Sequence, residues 1–414
     1  MKPKQVFAGV KVADFSWAAT GPLASRTLAE HGATVIHIES HGRPTISRLT
    51  QPFKDSIPGL DRSAHGAKLN ANKYGMSLDL SKSKGLEIAK KLIQWADVVT
   101  ESFRPGQMKK WGLDYETIRK FKSDIIYFST NMQGQYGPHI MFGAYGAQLT
   151  CLSGFSWLTG REEREPVVLW GAYTDWVSYP HLVIALAGAL ARRRKTGKGM
   201  YLDQSQYESG VTFLAQAILD YDVNKRVASR QRNRENVAAP HGAYPCKGQN
   251  RWVVIAVFAD EEWEAFCRTI GNPEWTLRFN TFLSRKRNED ELDKLIAQWT
   301  IQHTPEEVMS LMQANGVEAG VVQNSGDLFN DPQLKHREHY VSLNHSVIGR
   351  HAYPNEAIKF SKTPPVFWKA GPCIGEDNEY VYKETLGFTD DEISDLMAEG
   401  VITIEGVGSS TSAL

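Results

Sequence analysis

VADFSWAATGPLASRTLAEHGATVIHIE, residues 12–39, decides the fold. Its two ends belong to short runs rich in Val, Ile and Phe, Val10–Phe15 and Thr34–Glu39, which read as strands. Between them Pro22 stands near the start of a helical stretch and Gly32 just past its end, the residues that open and close helices. A strand, a helix and a second strand in that order make a parallel unit. A dinucleotide dehydrogenase would carry G-x-G-x-x-G directly after the first strand. Here the turn reads SWAATGP, with only Gly21, so that class is disfavoured. Further strand candidates, Asp97–Thr100 and Ile125–Thr130, alternate with helical patterns, which predicts an α/β fold with a parallel sheet covered by helices.

At 414 residues the chain exceeds one ordinary core, and two domains are expected. Lys plus Arg and Asp plus Glu number 47 each, a balance without the signature of a nucleic-acid or anionic-membrane binder. Any anionic ligand must then be met by local charges. The longest apolar run, Leu182–Ala191, is about half of a bilayer span, and the N-terminus lacks the apolar stretch of a signal peptide. Four scattered cysteines (Cys151, Cys246, Cys267, Cys373) form no CxxC pair and fit a reducing cytoplasm. No metal site is expected: His336 and His339 lie one helical turn apart but have no HExxH or Cys pair nearby.

The stretch Trp176–Arg194 predicts a long, largely buried helix, closed by KTGKG. After Asn224 the composition changes to KRVASRQRNREN, a basic linker or exposed arm. A strand pair follows (Gly242–Pro245 and Trp252–Val257), with helices near Glu261–Gly271 and Asp290–Trp299. The boundaries expected are a large domain from 1–224, a small α+β domain at 225–325, and a segment at 326–414 that returns to the large domain. That segment ends in a helix, Asp390–Glu399, and a small-residue tail, Gly406–Leu414, read as disordered.

Several residues invite a chemical reading beside a structural one. Asp175 precedes the long helix, where Asp is a favoured N-cap. In the same place a carboxylate faces free N–H groups that would also stabilise an oxyanion formed when it attacks a thioester. Lys73 in LNANKYGMSLDL and Arg104 in ESFRPGQMKKWG are either surface charges or phosphate ligands. Gly134 and Gly137 of GQYGP follow a strand, where they make a tight turn or border a ligand.

Taken together, these segments resemble the family III coenzyme A transferases of CaiB/BaiF type, from about residue 7 to residue 388. The motifs are residues 12–39, NANKYGMSLDL, ADVVTESFRPGQMKKWGLDYE, Asp175 with RRRKTGKGMYLDQSQYE, PHGAYPCKGQNRWVVIAV, GVEAGVV with DLFNDPQL, and LGFTDDEI. The resemblance implies a Rossmann-like large domain built from the N- and C-terminal segments, a small domain, and two chains interlocked as a homodimer or as a heteromer with a related subunit. It implies that Asp175 is the nucleophile, that CoA is contacted near Ala19, Thr20, Lys73 and Arg104, and that no cofactor is held permanently. The substrates would be an acyl-CoA thioester and a free carboxylic acid.

The chain also departs from the family. Gly146 stands where formyl-CoA transferase has an acid, that enzyme's glycine-rich flap has no counterpart, and Ser40 replaces an arginine, leaving Arg43 or Arg48 as substitutes. A racemase of the same superfamily would carry a histidine base in the stretch that here reads FGAYGAQL, with Ala144. A non-catalytic partner subunit is disfavoured by the aspartate at 175. Trp17, Phe142, Tyr145, Trp170, Tyr173 and Trp176 either line an apolar pocket or belong to the core. As a pocket they suggest an aromatic acceptor, and a catalytic subunit resembling those of succinyl-CoA:benzylsuccinate transferases.

Overall fold

The computed structural model describes residues 5–143, 145–169 and 171–403. The readings of Ala144, of Trp170 and of the Gly406–Leu414 tail lie outside the described residues. The chain divides into two compact units, one made of Met1–Phe155, Val168–Arg226 and Arg337–Leu414, the other of Ser156–Val167 and Val227–His336. The second unit thus runs beyond the expected 225–325, and it includes a short excursion from the middle of the first.

The first unit is built on a six-stranded, wholly parallel sheet in the order β3-β2-β1-β4-β5-β6. Its strands are β1 (Lys11–Phe15), β2 (Thr34–Glu39), β3 (Tyr74–Ser77), β4 (Val98–Glu101), β5 (Ile126–Asn131) and β6 (Met200–Ser205). This is the Rossmann strand order, reached without the glycine fingerprint. The four central strands are buried on both faces. On one face Ala13, Phe15, Ile36 and Val99 pack against Ile88 and Leu92 of the Ser83–Trp95 helix. Val381, Tyr382, Ile393 and Leu396, from the end of the chain, join the same core. On the other face Val12, Val35, Val98 and Phe128 meet Leu28 of the Thr20–Glu30 helix, and Leu182, Leu186 and Leu190 of the Tyr173–Thr196 helix. The alternation of Val12 and Ala13 between cores is the period of two that a strand imposes.

The Tyr173–Thr196 helix begins three residues before the expected start and is only half-buried: Ile184 is 71% exposed. Asp175 is therefore the third residue of the helix and not its N-cap, a place taken by Ala172.

In the second unit, β7 (His241–Pro245), β8 (Trp252–Ala256) and β9 (Glu318–Val321) form an antiparallel sheet. It is packed by Phe266, Leu292, Ile296, Val308 and Met312. The basic segment read as a linker is tied down instead. Arg234 donates to Asp290 and Asp293 at 2.8 Å each, Arg232 pairs with Glu163 at 2.8 Å, and Arg230 lies over the Trp157 ring.

Beneath the C-terminal end of β1, Asp14 is fully buried and collects donors from five side chains. They are Lys73 Nζ at 2.9 Å, Ser25 Oγ at 2.7 Å, Thr100 Oγ1 at 2.8 Å, His37 Nδ1 at 3.1 Å and Ser16 Oγ. Burial alone would raise its pKa, but Lys73 and His37 outweigh that and hold it well below the usual carboxylate range. Lys73 is itself fully buried, so it is not available to a phosphate, contrary to the sequence reading. Arg48 is likewise consumed, by Glu39 at 2.6 Å and Asp61 at 2.7 Å.

Lys73→Met would leave Asp14 buried without its cation, at a cost of about 3–5 kcal/mol. Urea denaturation should register that loss, and the exposed Arg43→Met should show none. Because the Asp14 pKa is depressed on folding, its contribution is present above about pH 4 and disappears as pH falls through the folded value. The two proteins should therefore converge in stability in strong acid.

Candidate active site

The order of strands reverses between β1 and β4, and in parallel sheets ligands settle outside the strand ends at such a point. A cavity of about 720 Å³ opens there, within the range of small-molecule sites. Trp17, Ala18 and Thr20 line it from the turn after β1, Ser102 and Arg104 from the turn after β4, and Asn131 and Gln133 from the end of β5. The turn after β1 is held in an unusual shape. Ala18 has φ of 63°, a left-handed conformation rare for a residue with a Cβ, and its N–H donates to Thr45 Oγ1 at 2.9 Å. Gly21 is required beside it, because a Cβ there would lie 2.4 Å from that of Ser16.

Asp175 faces this cavity from the first turn of its helix. Among the described residues it is the only carboxylate in the lining. Burial pushes its pKa up to about 6, and the nearby Thr20 hydroxyl draws it back only in part. Thr20 Oγ1 is buried and makes no hydrogen bond of normal geometry to any described residue. The N-termini of two helices, Thr20–Glu30 and Tyr173–Thr196, thus point at the cavity, and both favour negative charge there. Trp17 Nε1, Asn131 Nδ2 and Gln206 Oε1, also on the lining residues, are buried and have no hydrogen-bond partner among the described residues. An isolated polar atom of this kind is costly, and a bound ligand is one way to satisfy it.

Of the residues singled out from sequence, Trp17, Ala19, Thr20, Arg104, Phe142, Tyr145, Asp175 and Trp176 line the cavity. Lys73, Arg43 and Tyr173 do not. Lys73 is spent on Asp14, Arg43 is exposed elsewhere, and Tyr173 turns its ring edge-on to Phe155 at 5.0 Å. Gly134 and Gly137 do not border the cavity either; both have positive φ and serve the turn after β5. The structure adds His65, Lys68 and Gln206. No local signal marks them, since they enter through a six-residue helix, Ala64–Leu69, and through the segment after β6. The vacancy at Gly146 also acquires a reason. A Cβ there would stand 2.3 Å from that of Ala172 and 3.0 Å from Asp175 Oδ1, so no side chain fits.

The sequence profile described as CoA-transferase family III matches residues 7–378. The chain belongs to that family. This CoA-transferase is 28% identical over 405 residues to succinyl-CoA:glutarate CoA-transferase of Mus musculus, covering 97% of this chain and 91% of that protein. It is also 28% identical over 404 residues to the succinyl-CoA–L-malate CoA-transferase β subunit of Chloroflexus aurantiacus, covering 95% and 98%. Among solved structures, a CaiB/BaiF family protein from Brucella suis superposes with a TM-score of 0.85 at 26% identity, covering 92% of this chain and 99% of that one. The mixed α/β architecture with a parallel central sheet is shared with it. Among the described residues of the transferase, no helix is long and apolar enough to cross a membrane.

The raised pKa of Asp175 predicts a stability signature. A carboxyl whose folded pKa exceeds its unfolded value destabilises the fold as pH rises between the two, here from about 4 to about 6. Asp175→Asn removes that cost. It should be more stable than the parent by at most about 2–3 kcal/mol at pH 8, with little difference at pH 3.5. Denaturant titrations at the two pH values measure the gap; equal gaps would contradict the desolvated state described above.

Proposed function

We propose that this CoA-transferase moves CoA from succinyl-CoA to a second carboxylic acid through covalent intermediates on Asp175. The observation that carries the reading is the isolation of Asp175, a desolvated carboxylate in a cavity whose other charged lining residues, Lys68 and Arg104, are basic. Succinyl-CoA as donor, and a dicarboxylic acid as acceptor, are supported by the names of both relatives. The sequence-based idea of an aromatic acceptor such as benzylsuccinate is kept, with the rings of Trp17, Phe142 and Trp176 as an apolar wall for its phenyl group.

Asp175 attacks the thioester carbonyl, the C–S bond breaks, and the thiolate of CoA leaves, giving a mixed anhydride. The thiolate then attacks the aspartyl carbonyl, which releases the donor acid and leaves an aspartyl-CoA thioester. The acceptor carboxylate repeats the sequence in reverse and departs as its CoA thioester. Thioester energy is conserved, so no nucleotide is consumed. The helix N-terminus at Thr20 and the orphaned Asn131 amide are suited to the oxyanions that form along this path.

His65 supports a second reading. Sequence reasoning sought a racemase base only in FGAYGAQL, whereas His65 reaches the same cavity from another segment, and burial and Lys68 lower its pKa so that it is neutral. In deuterated water, with one enantiomer of a 2-methylacyl-CoA and no acceptor acid, a transferase leaves the α-hydrogen in place. Washout as fast as transfer would favour the racemase.

We also propose that the working form contains two chains, interlocked as a homodimer or a heteromer, and that it works in the cytoplasm. The Ala215–Asn224 helix has no buried residue and exposes Ile218, Leu219 and Val223, and a ten-residue helix is marginal in water without packing. Light scattering should give at least twice the 46.4 kDa of one chain. Cys246, Cys267 and Cys373 carry free thiols, which accords with a reducing compartment.

Incubation with succinyl-CoA alone should leave an adduct that hydroxylamine traps on the Asp175 peptide. Asp175→Ala should abolish both adduct and turnover while the protein remains folded; a folded variant with near-normal transfer would remove the covalent route. Arg104→Ala should raise the KM for acyl-CoA by about 10- to 100-fold, the effect of one charge-assisted contact, with the KM of the free acid nearly unchanged.

A further inference from the structure

Lys68 carries a charge that its surroundings do not neutralise. It projects from the Ala64–Leu69 helix, whose start is fixed by Ser63 Oγ accepting from Gly66 N at 3.1 Å. Its Nζ lies 4.2 Å from the centroid of the Trp176 ring, and the side chain is half-buried in the cavity wall. Among the described residues no acidic side chain pairs with it. Burial and the nearby Arg26 together push its pKa down to about 8. A partly desolvated cation beside a second cation, with no counter-ion, is an unfavourable arrangement that a bound anion relieves.

We propose that Lys68 holds the distal carboxylate of a dicarboxylic acyl group while Asp175 engages its thioester end. The inference rests on the reading of Asp175 as nucleophile and deepens it. Two anions of the substrate compete for the role, the phosphates of CoA and the second carboxylate of the acyl chain, and position separates them. Trp176 follows Asp175 directly, and Lys68 sits over its ring, so Lys68 Nζ is no more than about 12 Å from the Asp175 Cα by chain geometry. The pantetheine arm holds the CoA phosphates at its full length from the thioester, which places them away from a group next to the nucleophile. The exposed Arg104, on the other side of the switch point, suits them better. A four- or five-carbon diacid held at Asp175 extends its far carboxylate over the distance to Lys68. The indole face beneath the ammonium keeps the lysine in place between turnovers.

The test compares kcat/KM for succinyl-CoA and for butyryl-CoA, which has the same chain length and no second carboxylate, in the parent, Lys68→Met and Lys68→Arg. Affinity for free CoA is measured by calorimetry in each. Lys68→Met should lower kcat/KM for succinyl-CoA by about 10- to 100-fold, leave butyryl-CoA within about twofold, and leave CoA affinity unchanged. Lys68→Arg, which keeps the charge, should retain the preference for succinyl-CoA. Equal losses with both donors accompanied by weaker CoA binding would make Lys68 a phosphate ligand and overturn the proposal. Equal losses with unchanged CoA binding would make it structural, and no change with either donor would overturn it as well. A parent enzyme that turns over both donors alike, yet is still trapped at Asp175 by hydroxylamine, removes the role of Lys68 alone. Absence of trapping in the parent removes the reading on which it rests.

Discussion

The site depends on one buried carboxylate that does no chemistry. Asp14, the penultimate residue of β1, joins it to β2 through His37, to β4 through Thr100, to the Thr20–Glu30 helix through Ser25, and to the segment before β3 through Lys73. Each partner comes from a different stretch of sequence, so the hub fixes the mutual positions of the elements that frame the switch point. The turn that follows, Ser16 to Thr20, leaves the hub with Ser16 N donating to Asp14 at 3.1 Å. Trp17 N then donates to Ser102 Oγ at 2.7 Å, beyond the end of β4. The left-handed Ala18 is thus fastened on both sides, which is the condition under which a strained residue persists at a site.

How much of this was legible follows from the kind of signal each part leaves. β1, the first helix and β2 were readable because burial on both faces demands Val, Ile and Phe, and because Pro22 and Gly32 punctuate the helix. β3 and β6 were missed: YGMS and MYLDQS carry few β-branched residues, and as the outermost strands they are short or polar and take their conformation from pairing. The same holds for β9, EAGV. The inclusion of residues 156–167 in the second unit left no trace at all, since membership is decided by long-range contacts such as Arg232 with Glu163.

Two site residues stand elsewhere than their sequence context suggested, each for its own reason. Lys68 and Lys73 lie five residues apart in the same polar stretch, and sequence offers no way to tell which is buried against a carboxylate and which faces open space. Motif position selected Lys73, the structurally consumed one. Asp175 was found by motif, but its place in the helix was misread, because Asp is favoured at an N-cap and is also stabilising anywhere in the first turn. At the third position its own backbone N–H is already committed to Ala172 O at 3.0 Å.

Two aspartates, Asp14 in β1 and Asp175 in the first turn of the Tyr173–Thr196 helix, show how differently the fold treats a carboxyl group. Asp14 accepts from five side chains and one backbone amide, and its pKa is driven down; its lone pairs are occupied, and it is a poor nucleophile. Asp175 is half-buried in the cavity wall; desolvation drives its pKa up to about 6, and the nearby Thr20 hydroxyl lowers it only in part. A carboxylate with a pKa near 6 is still about nine-tenths ionised at pH 7, so raising it sacrifices little of the reactive form. What it gains is basicity, and with basicity the tendency to share electrons with an electrophilic carbon. Pairing Asp175 with a lysine, as Asp14 is paired, would return the pKa to the ordinary range and spend those electrons on a proton donor. Among the described residues no cation lies at hydrogen-bond distance from Asp175, and Lys68 is held back over Trp176, an arrangement that suits the nucleophilic role proposed for Asp175.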